Sequence, residues 1–252
     1  MSFDVAAESY GRFMGRYSEP LAAEFVRLAD PQPGERVLDV GCGPGAVSAL
    51  LVDRLGPAAV CAIDPSAPFV AAARERLPGV DVREGTAEAL PWADGTFGQA
   101  LAQLVVHFMT DPVAALREMA RVVRSGGLVA ASVWDYAGAR SPLSVFWTAV
   151  AQLDPGHPGE AGLAGARPGH LAELFQAAGL NEVQDGELTV RVGVGGFDEW
   201  WEPFTLGVGP AGSYLAGLDD AKREELRAHC AALLPAGPFE VSATAWVVRA
   251  RA

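Results

Sequence analysis

The hydrophobic positions of this chain alternate between short apolar runs and residues spaced three or four apart. Val37, Leu38 and Val40 make the first run and lead straight into Gly41, Gly43 and Gly45. Past the glycines, Val47, Leu50, Leu51 and Leu55 recur at the spacing of one helix face. The pattern then repeats. Residues 60–64 are apolar and end in Asp64, and an Ala-rich helical run covers residues 69–77. A short strand around Val80 and Val82, a polar stretch with an Asp94-Gly95 turn, and a strand over residues 99–105 come next. Asp111-Pro112 opens a helix with Val113, Leu116, Ala120 and Val123 on one face, closed by basic residues and then Gly126 and Gly127. Residues 127–134 form a fifth apolar run, suited to burial on both faces. Leu171, Leu174, Phe175 and Ala178 mark a further helix ending at Gly179, and residues 183–192 and 240–251 alternate as two last strands. Strands alternating with helices predict an α/β fold around a mainly parallel sheet.

Two stretches exceed this minimal pattern: residues 136–167 and residues 193–238. The second contains a predicted helix over residues 219–234, with Leu226, Cys230, Leu233 and Leu234 on one face. Both follow strands whose carboxyl ends lie at the ligand edge of such a sheet, so both are expected above the ligand. Together with residues 1–33 they are read as a mobile lid on a single domain, 1–252. Residues 34–135 form the cofactor-binding core, and residues 168–192 and 239–252 supply the rest of the sheet and its last helix. The aromatics in these segments include Tyr10, Tyr17, Tyr136, Trp147, Trp200 and Trp201. They either build the core under the lid or line a pocket for an apolar or aromatic molecule. Trp200 and Trp201 are adjacent, so a helix would send them to different faces, one inward.

The glycine loop carries the first chemical signal. Strand, alternating glycines and helix begin a nucleotide-binding unit, in which glycine lets a ligand touch backbone at a helix N-terminus. A plain tight turn is the structural alternative. Asp64, at the tip of the second strand, can accept both hydroxyls of an adenosine ribose, whether of NAD or of S-adenosylmethionine. Alternatively it caps the helix that begins near Pro65.

Composition narrows the partners. The formal charge of -12 and the want of any Lys/Arg cluster argue against nucleic acid and against anionic membrane surfaces. No run reaches the roughly 18 apolar residues of a membrane helix. Asp4 and Glu8 break any apolar leader, so a cytoplasmic protein is expected. Cys42, Cys61 and Cys230 have no paired spacing and read as small buried hydrophobes; with His107, His157, His170 and His229 they offer no metal-ligand pattern. No metal is expected.

Four segments in order, "VLDVGCGPG", "CAIDPS", "GTAEALPWADGTF" and "EMARVVRSGG", resemble the class I S-adenosylmethionine-dependent methyltransferases. The likeness is greatest to the ubiquinone/menaquinone-type and small-molecule branch. It spans about residues 34–135, and "YGRFMGRYSEPLA" is similar to that branch's lead-in segment. Thr86 stands where that family often has Asp, and Ser125 where it often has Pro. The resemblance implies a Rossmann-like, seven-stranded, mostly parallel sheet with an antiparallel last strand, helices on both faces and lid insertions. It implies S-adenosyl-L-methionine as cofactor, S-adenosyl-L-homocysteine as product, and a small-molecule acceptor methylated at oxygen or carbon. Asp39, Gly41, Gly43 and Gly45 are then expected around the methionyl part and Asp64, with Pro65 beside it, at the ribose. Thr86, Ala87 and Glu88 are expected at the adenine, and Gln103 and Leu104 on the far side. Arg16 is a candidate partner for the cofactor carboxylate, or else a surface ion pair with Glu19 or Glu24. His107, just past the fourth strand, is the candidate general base, with Asp135 and Tyr136 behind it. An NAD-dependent oxidoreductase shares the glycine loop and the acid, and a non-methylating cofactor-bound protein on the same fold is the other alternative. Sequence leaves the acceptor and the oligomeric state open.

Overall fold

The computed structural model describes residues 7–252. Asp4, on which part of the leader argument rests, lies outside them. Helix α1 (Ala7–Tyr10) runs through a π-helical turn (Gly11–Gly15) into α2 (Arg16–Ala29). Then come β1 (Val37–Val40), α3 (Ala46–Leu55), β2 (Val60–Asp64), α4 (Ala67–Arg76), β3 (Asp81–Glu84) and β4 (Phe97–Gln103). They are followed by α5 (Pro112–Val122), β5 (Val123–Trp134), α6 (Ser144–Leu153), α7 (His170–Ala177) and β6 (Asn181–Val194). Helices α8 (Phe197–Trp201), α9 (Gly209–Ala216) and α10 (Asp220–Leu233) precede β7 (Phe239–Arg251).

The seven strands form one sheet in the order β3-β2-β1-β4-β5-β7-β6. Pairing is parallel from β3 through β5, and β7 runs antiparallel to both β5 and β6. Strand alternation sorts the side chains to the two faces. Leu38, Val40, Cys61, Ile63, Ala100 and Ala102 pack with Leu116 and Met119 of α5 and Leu171 and Phe175 of α7. Val37, Val60, Leu101 and Ala130 point the other way, onto Phe25 of α2 and Val47 and Leu51 of α3. Asp39 shares the parity of Val37, so it faces α3. The strand order reverses between β1 and β4, and a ligand crevice forms beyond the carboxyl ends of the strands at such a point.

Residues 136–167 and 193–238 build a third core with the N-terminal segment. Phe13, Tyr17, Phe146, Trp200, Trp201 and Phe204 belong to one buried cluster with Trp134 and Leu104. The second insertion holds three helices where the hydrophobic pattern predicts one. On α10, Leu226 and Cys230 are buried, but Leu233 is 43% exposed and does not join their face. All three cysteines are free and buried. Among the described residues no helix is long and apolar enough to cross a membrane.

Candidate active site

The carboxyl ends of β1, β2, β3 and β4 open on a cavity of about 610 Å³. Asp39, Gly41 and Gly43 line it from β1 and its loop, and Asp64 and Pro65 from the end of β2. Thr86, Ala87 and Glu88 follow β3, and Gln103 and Leu104 follow β4. These ten predicted residues, scattered over 66 positions of sequence, therefore share one wall because parallel strands end together.

The three loop glycines do different work. A Cβ on Gly41 would lie 2.5 Å from Val105, and one on Gly45 would lie 2.8 Å from Leu77. Those two glycines serve packing, and Gly45 is not on the cavity wall. Gly43, at φ +53°, has nothing within 4 Å of where a Cβ would sit. It is the position where an approaching ligand gains from a bare backbone.

Asp64 is 6% exposed, and its carboxylate accepts the Gly43 amide at 2.9 Å and the Ser66 amide at 2.8 Å. It thereby ties the β1 loop to the β2 loop. The cap of α4 is Ser66, whose Oγ accepts from the Phe69 amide, so the capping reading of Asp64 is replaced. A carboxylate offers about four acceptor positions. Two remain for ligand hydroxyls. Burial raises the Asp64 pKa, opposed by the two amide donors. Asp39, 1% exposed, accepts the Ser48 hydroxyl at 2.6 Å, and burial pushes its pKa up to about 7.

Other predicted residues hold the wall in place. Glu88 accepts from the Thr110 and Asp111 amides at 2.9 and 3.3 Å, fixing the loop after β4. Gln103 donates to the Ser18 carbonyl at 3.0 Å and so pins α2 to β4, while its own carbonyl has no partner. Leu104 adopts φ +60°, an uncommon conformation for a branched aliphatic residue. Such conformations concentrate at functional sites.

Several of the expected site residues lie away from the large cavity. Arg16 does not face the cavity; it pairs with Glu199 at 2.5 Å, and neither Glu19 nor Glu24 is its partner. Trp200 and Trp201 are 2% and 6% exposed and both belong to the core of the cap. Helix α8 is five residues long; Phe204 packs on Trp200 and Phe146 on Trp201, while Asp198 and Glu199 face solvent. Tyr17 and Trp147 are likewise cap residues away from the large cavity. Tyr10 does line it, its ring meeting Phe69 edge-on at 5.2 Å. The covering over the cavity is thus the N-terminal segment, with Tyr10 and Ser18, and the insertions brace it from behind.

His107 sits in a 3₁₀ turn (Val106–Phe108), 5% exposed, edge-on to Tyr136 at 5.6 Å. Its Nδ1 has no partner, and burial pulls its pKa down to about 3. Neither His107 nor Tyr136 lines the large cavity. Both line a second one of about 30 Å³, separated from it by a wall of Tyr10, Leu104 and Phe108. Asp135 is occupied by Arg140 at 2.5 Å and the Gly138 amide at 2.8 Å, which leaves it a structural anchor. Sequence reading passed over Phe69, Phe108 and Glu160. Phe69 and Phe108 do carry a signal, since each lies a few residues past a strand that ends at the cavity. Among the described residues no group of three or more His, Cys, Asp or Glu is placed to hold a metal ion.

Residues 38–131 match the family described as "Methyltransferase domain". The nocamycin O-methyltransferase of Saccharothrix syringae is 32% identical over 204 residues, covering 73% of each chain. The ubiquinone/menaquinone biosynthesis C-methyltransferase of Xanthomonas oryzae is 39% identical over 110 residues, 41% of this chain and 44% of that protein. The chain thus spans less than half the length of some of the curated relatives it matches. Among solved structures, the YcgJ protein of Bacillus shares the fold with a TM-score of 0.58 at 19% identity, over 91% of this chain and 97% of that one.

Proposed function

Because the chain belongs to the class I S-adenosylmethionine-dependent methyltransferases, we propose that it transfers a methyl group to the oxygen or carbon of a small, apolar or aromatic molecule. The observation that carries this reading is the cradle at Gly43: bare backbone open to a large cavity, beside a buried carboxylate with two free acceptor positions. That cradle fits S-adenosylmethionine. Asp64 would take the ribose hydroxyls, the loop at Gly43 the methionyl part, and Thr86 and Ala87 the adenine. When bound, the cofactor supplies an activated methyl group on a sulfonium.

What this chain adds is placement and exclusion of water. Holding nucleophile and methyl group in line can supply roughly 7–11 kcal/mol of the barrier. Tyr10 and Ser18, backed by the cap core, line the cavity on the side of the N-terminal segment, where they would limit the access of water to a bound cofactor. Relatives that methylate oxygen and carbon support the small-molecule assignment and disfavour an NAD-dependent oxidoreductase. The acidic surface supports an acceptor other than nucleic acid, and a cytoplasmic site of action is part of the same proposal. The test is release of S-adenosylhomocysteine across a panel of phenols, quinones, polyketides and amines. Turnover of a phenol, quinone or polyketide is expected. Tight cofactor binding with no turnover of any acceptor would instead favour a non-methylating protein on this fold.

A further inference from the structure

The small cavity beyond Tyr10, Leu104 and Phe108 is lined by three residues that each hold a buried polar atom without a partner: His107 at Nδ1, Glu160 at Oε1 and Trp134 at its indole N–H. Glu160 lies in the first insertion and is 2% exposed, a carboxyl group enclosed by aromatic and aliphatic side chains. Its Oε2 accepts the indole N–H of Trp147 at 2.7 Å. Trp147 is itself held by a parallel stack on His157, with ring centroids 5.3 Å apart. The Tyr136 hydroxyl is nearby without closing a hydrogen bond to Oε1. A buried carboxyl left half-satisfied is costly, and in a cap otherwise built of apolar rings it has no packing purpose. The same wall that bounds this space also bounds the large cavity, and it carries the strained backbone of Leu104.

We infer that Glu160 takes the proton of the acceptor, and that the acceptor is therefore a hydroxyl compound, a phenol or enol, whose O–H enters the small cavity. This rests on the methyltransferase reading and specifies it. The chemistry of these orphaned atoms, one carboxyl oxygen and two ring nitrogens, selects the class. A hydroxyl donates once, to Oε1, and has lone pairs to accept from the Trp134 indole N–H, or from His107 if its ring proton is on Nδ1. A carboxylate acceptor would meet like charge at Glu160. An ammonium would find only one free carboxylate oxygen and has no lone pair for attack. The volume of about 30 Å³ admits a hydroxyl and little more, so the body of the acceptor would lie on the large-cavity side of the shared wall of Tyr10, Leu104 and Phe108, which must part for the hydroxyl to enter. In the reaction the acceptor O–H bond breaks and its proton passes to Oε1. The oxygen lone pair forms the new bond to the methyl carbon as the C–S bond breaks, its electrons returning to sulfur. Glu160 then gives the proton to solvent.

Burial places the Glu160 pKa at about 7, against the weaker opposing pull of Trp147 and Tyr136. That suits a base working near neutral pH. The other titratable groups around it are Tyr10, Tyr136 and His107, with His157 on Trp147. Burial keeps both phenols neutral and His107 unprotonated through this range.

The experiment compares the full-length wild type, Glu160→Gln and Trp147→Phe. Affinity for S-adenosylmethionine is read by calorimetry. Binding of para-nitrophenol and of para-nitroanisole, which lacks the O–H, is read by tryptophan fluorescence in the presence of S-adenosylhomocysteine. Turnover is read against phenols, enols, amines and carboxylic acids. Glu160→Gln is expected to keep its donor affinity, to bind para-nitrophenol about tenfold more weakly, and to bind para-nitroanisole as the wild type does. Its turnover of phenols should fall at least ~100-fold. The wild-type rate should rise with pH through about 7, a limb absent from Glu160→Gln. Trp147→Phe keeps the stack but removes the N–H from Oε2, so the limb should move to higher pH. This variant decides the matter should Glu160→Gln not fold. Wild-type turnover by Glu160→Gln, an unmoved limb in Trp147→Phe, or wild-type activity on amines alone would overturn the inference. Loss of donor binding in the wild type would refute the methyltransferase reading instead, and the two nitro compounds would still decide Glu160.

Discussion

Glu160→Gln should change the pH dependence of folding stability in a way that needs no ligand to detect. The carboxyl group has a pKa of about 7 in the folded protein, raised by burial from 4.5. Its folded pKa lies above its unfolded one, so the native state holds a proton that the unfolded chain has released. Stability from this group is fully present below about pH 4.5 and is lost as pH rises through about 7. The gap is 2.5 pH units, and each unit is about 1.4 kcal/mol, so the wild type should lose about 3 kcal/mol that the amide variant does not. The amide's own packing cost is the same at every pH and cancels in the difference, as do the contributions of Asp39 and His107. Urea unfolding of both proteins from about pH 4.5 to about pH 8 gives the two curves. Glu160→Gln should gain on the wild type by about 3 kcal/mol across that interval. Parallel curves would mean that Glu160 is ionised and solvated in the folded protein, and the reasoning about its burial would fail.

Gly43→Val should fold, because a Cβ there meets nothing within 4 Å, although φ +53° strains a branched residue by about 1–2 kcal/mol. Its S-adenosylmethionine affinity should nevertheless vanish by calorimetry; normal affinity would make the loop a mere turn. Arg16→Ala should leave donor affinity within about twofold and cost about 0–1 kcal/mol of stability, since its partner is Glu199 on the cap. A large loss of cofactor binding would restore it to the site. Trp200→Ala should destabilise by about 3–5 kcal/mol in urea unfolding, because the ring is 2% exposed in the cap core. A stable variant with a selective acceptor defect would return Trp200 to a pocket wall.

The core of the fold was legible because its signals are local. β1 and β2 are apolar runs ended by a glycine loop and an acid, and their predicted bounds match the observed Val37–Val40 and Val60–Asp64. Asp111 caps α5 by accepting the Ala114 amide at 2.9 Å, as Asp-Pro before an amphipathic run implies. The wall of the large cavity followed, since in a parallel sheet the residues after each strand converge. The cap was less legible because its partners are remote in sequence. Arg16 finds Glu199 across 183 residues, where reading along the chain offered Glu19 and Glu24. Trp200 and Trp201 both reach the cap core because α8 turns Asp198 and Glu199 to solvent while Phe204 and Phe146 pack on the two indoles. His107 was expected at the cofactor from its place after β4, but the turn at Val106–Phe108 directs it to the smaller cavity. Glu160 drew no notice, as a single acid among glycines and prolines over residues 155–169 reads as a solvated loop. Only the packing of the cap shows it to be buried.

The most direct test of the central claim is a calorimetric titration of S-adenosylmethionine, and separately of NAD, into the wild type and Asp64→Ala. Asp64 joins the two loops of the cradle and retains two acceptor positions for the ribose. Hydrogen bonds to a charged acceptor contribute roughly 1.5–3 kcal/mol each. One-site binding of S-adenosylmethionine, weakened about tenfold or more by a folded Asp64→Ala, and no binding of NAD, is the predicted result. Binding of NAD in place of S-adenosylmethionine, or an Asp64→Ala variant with undiminished affinity, would contradict it.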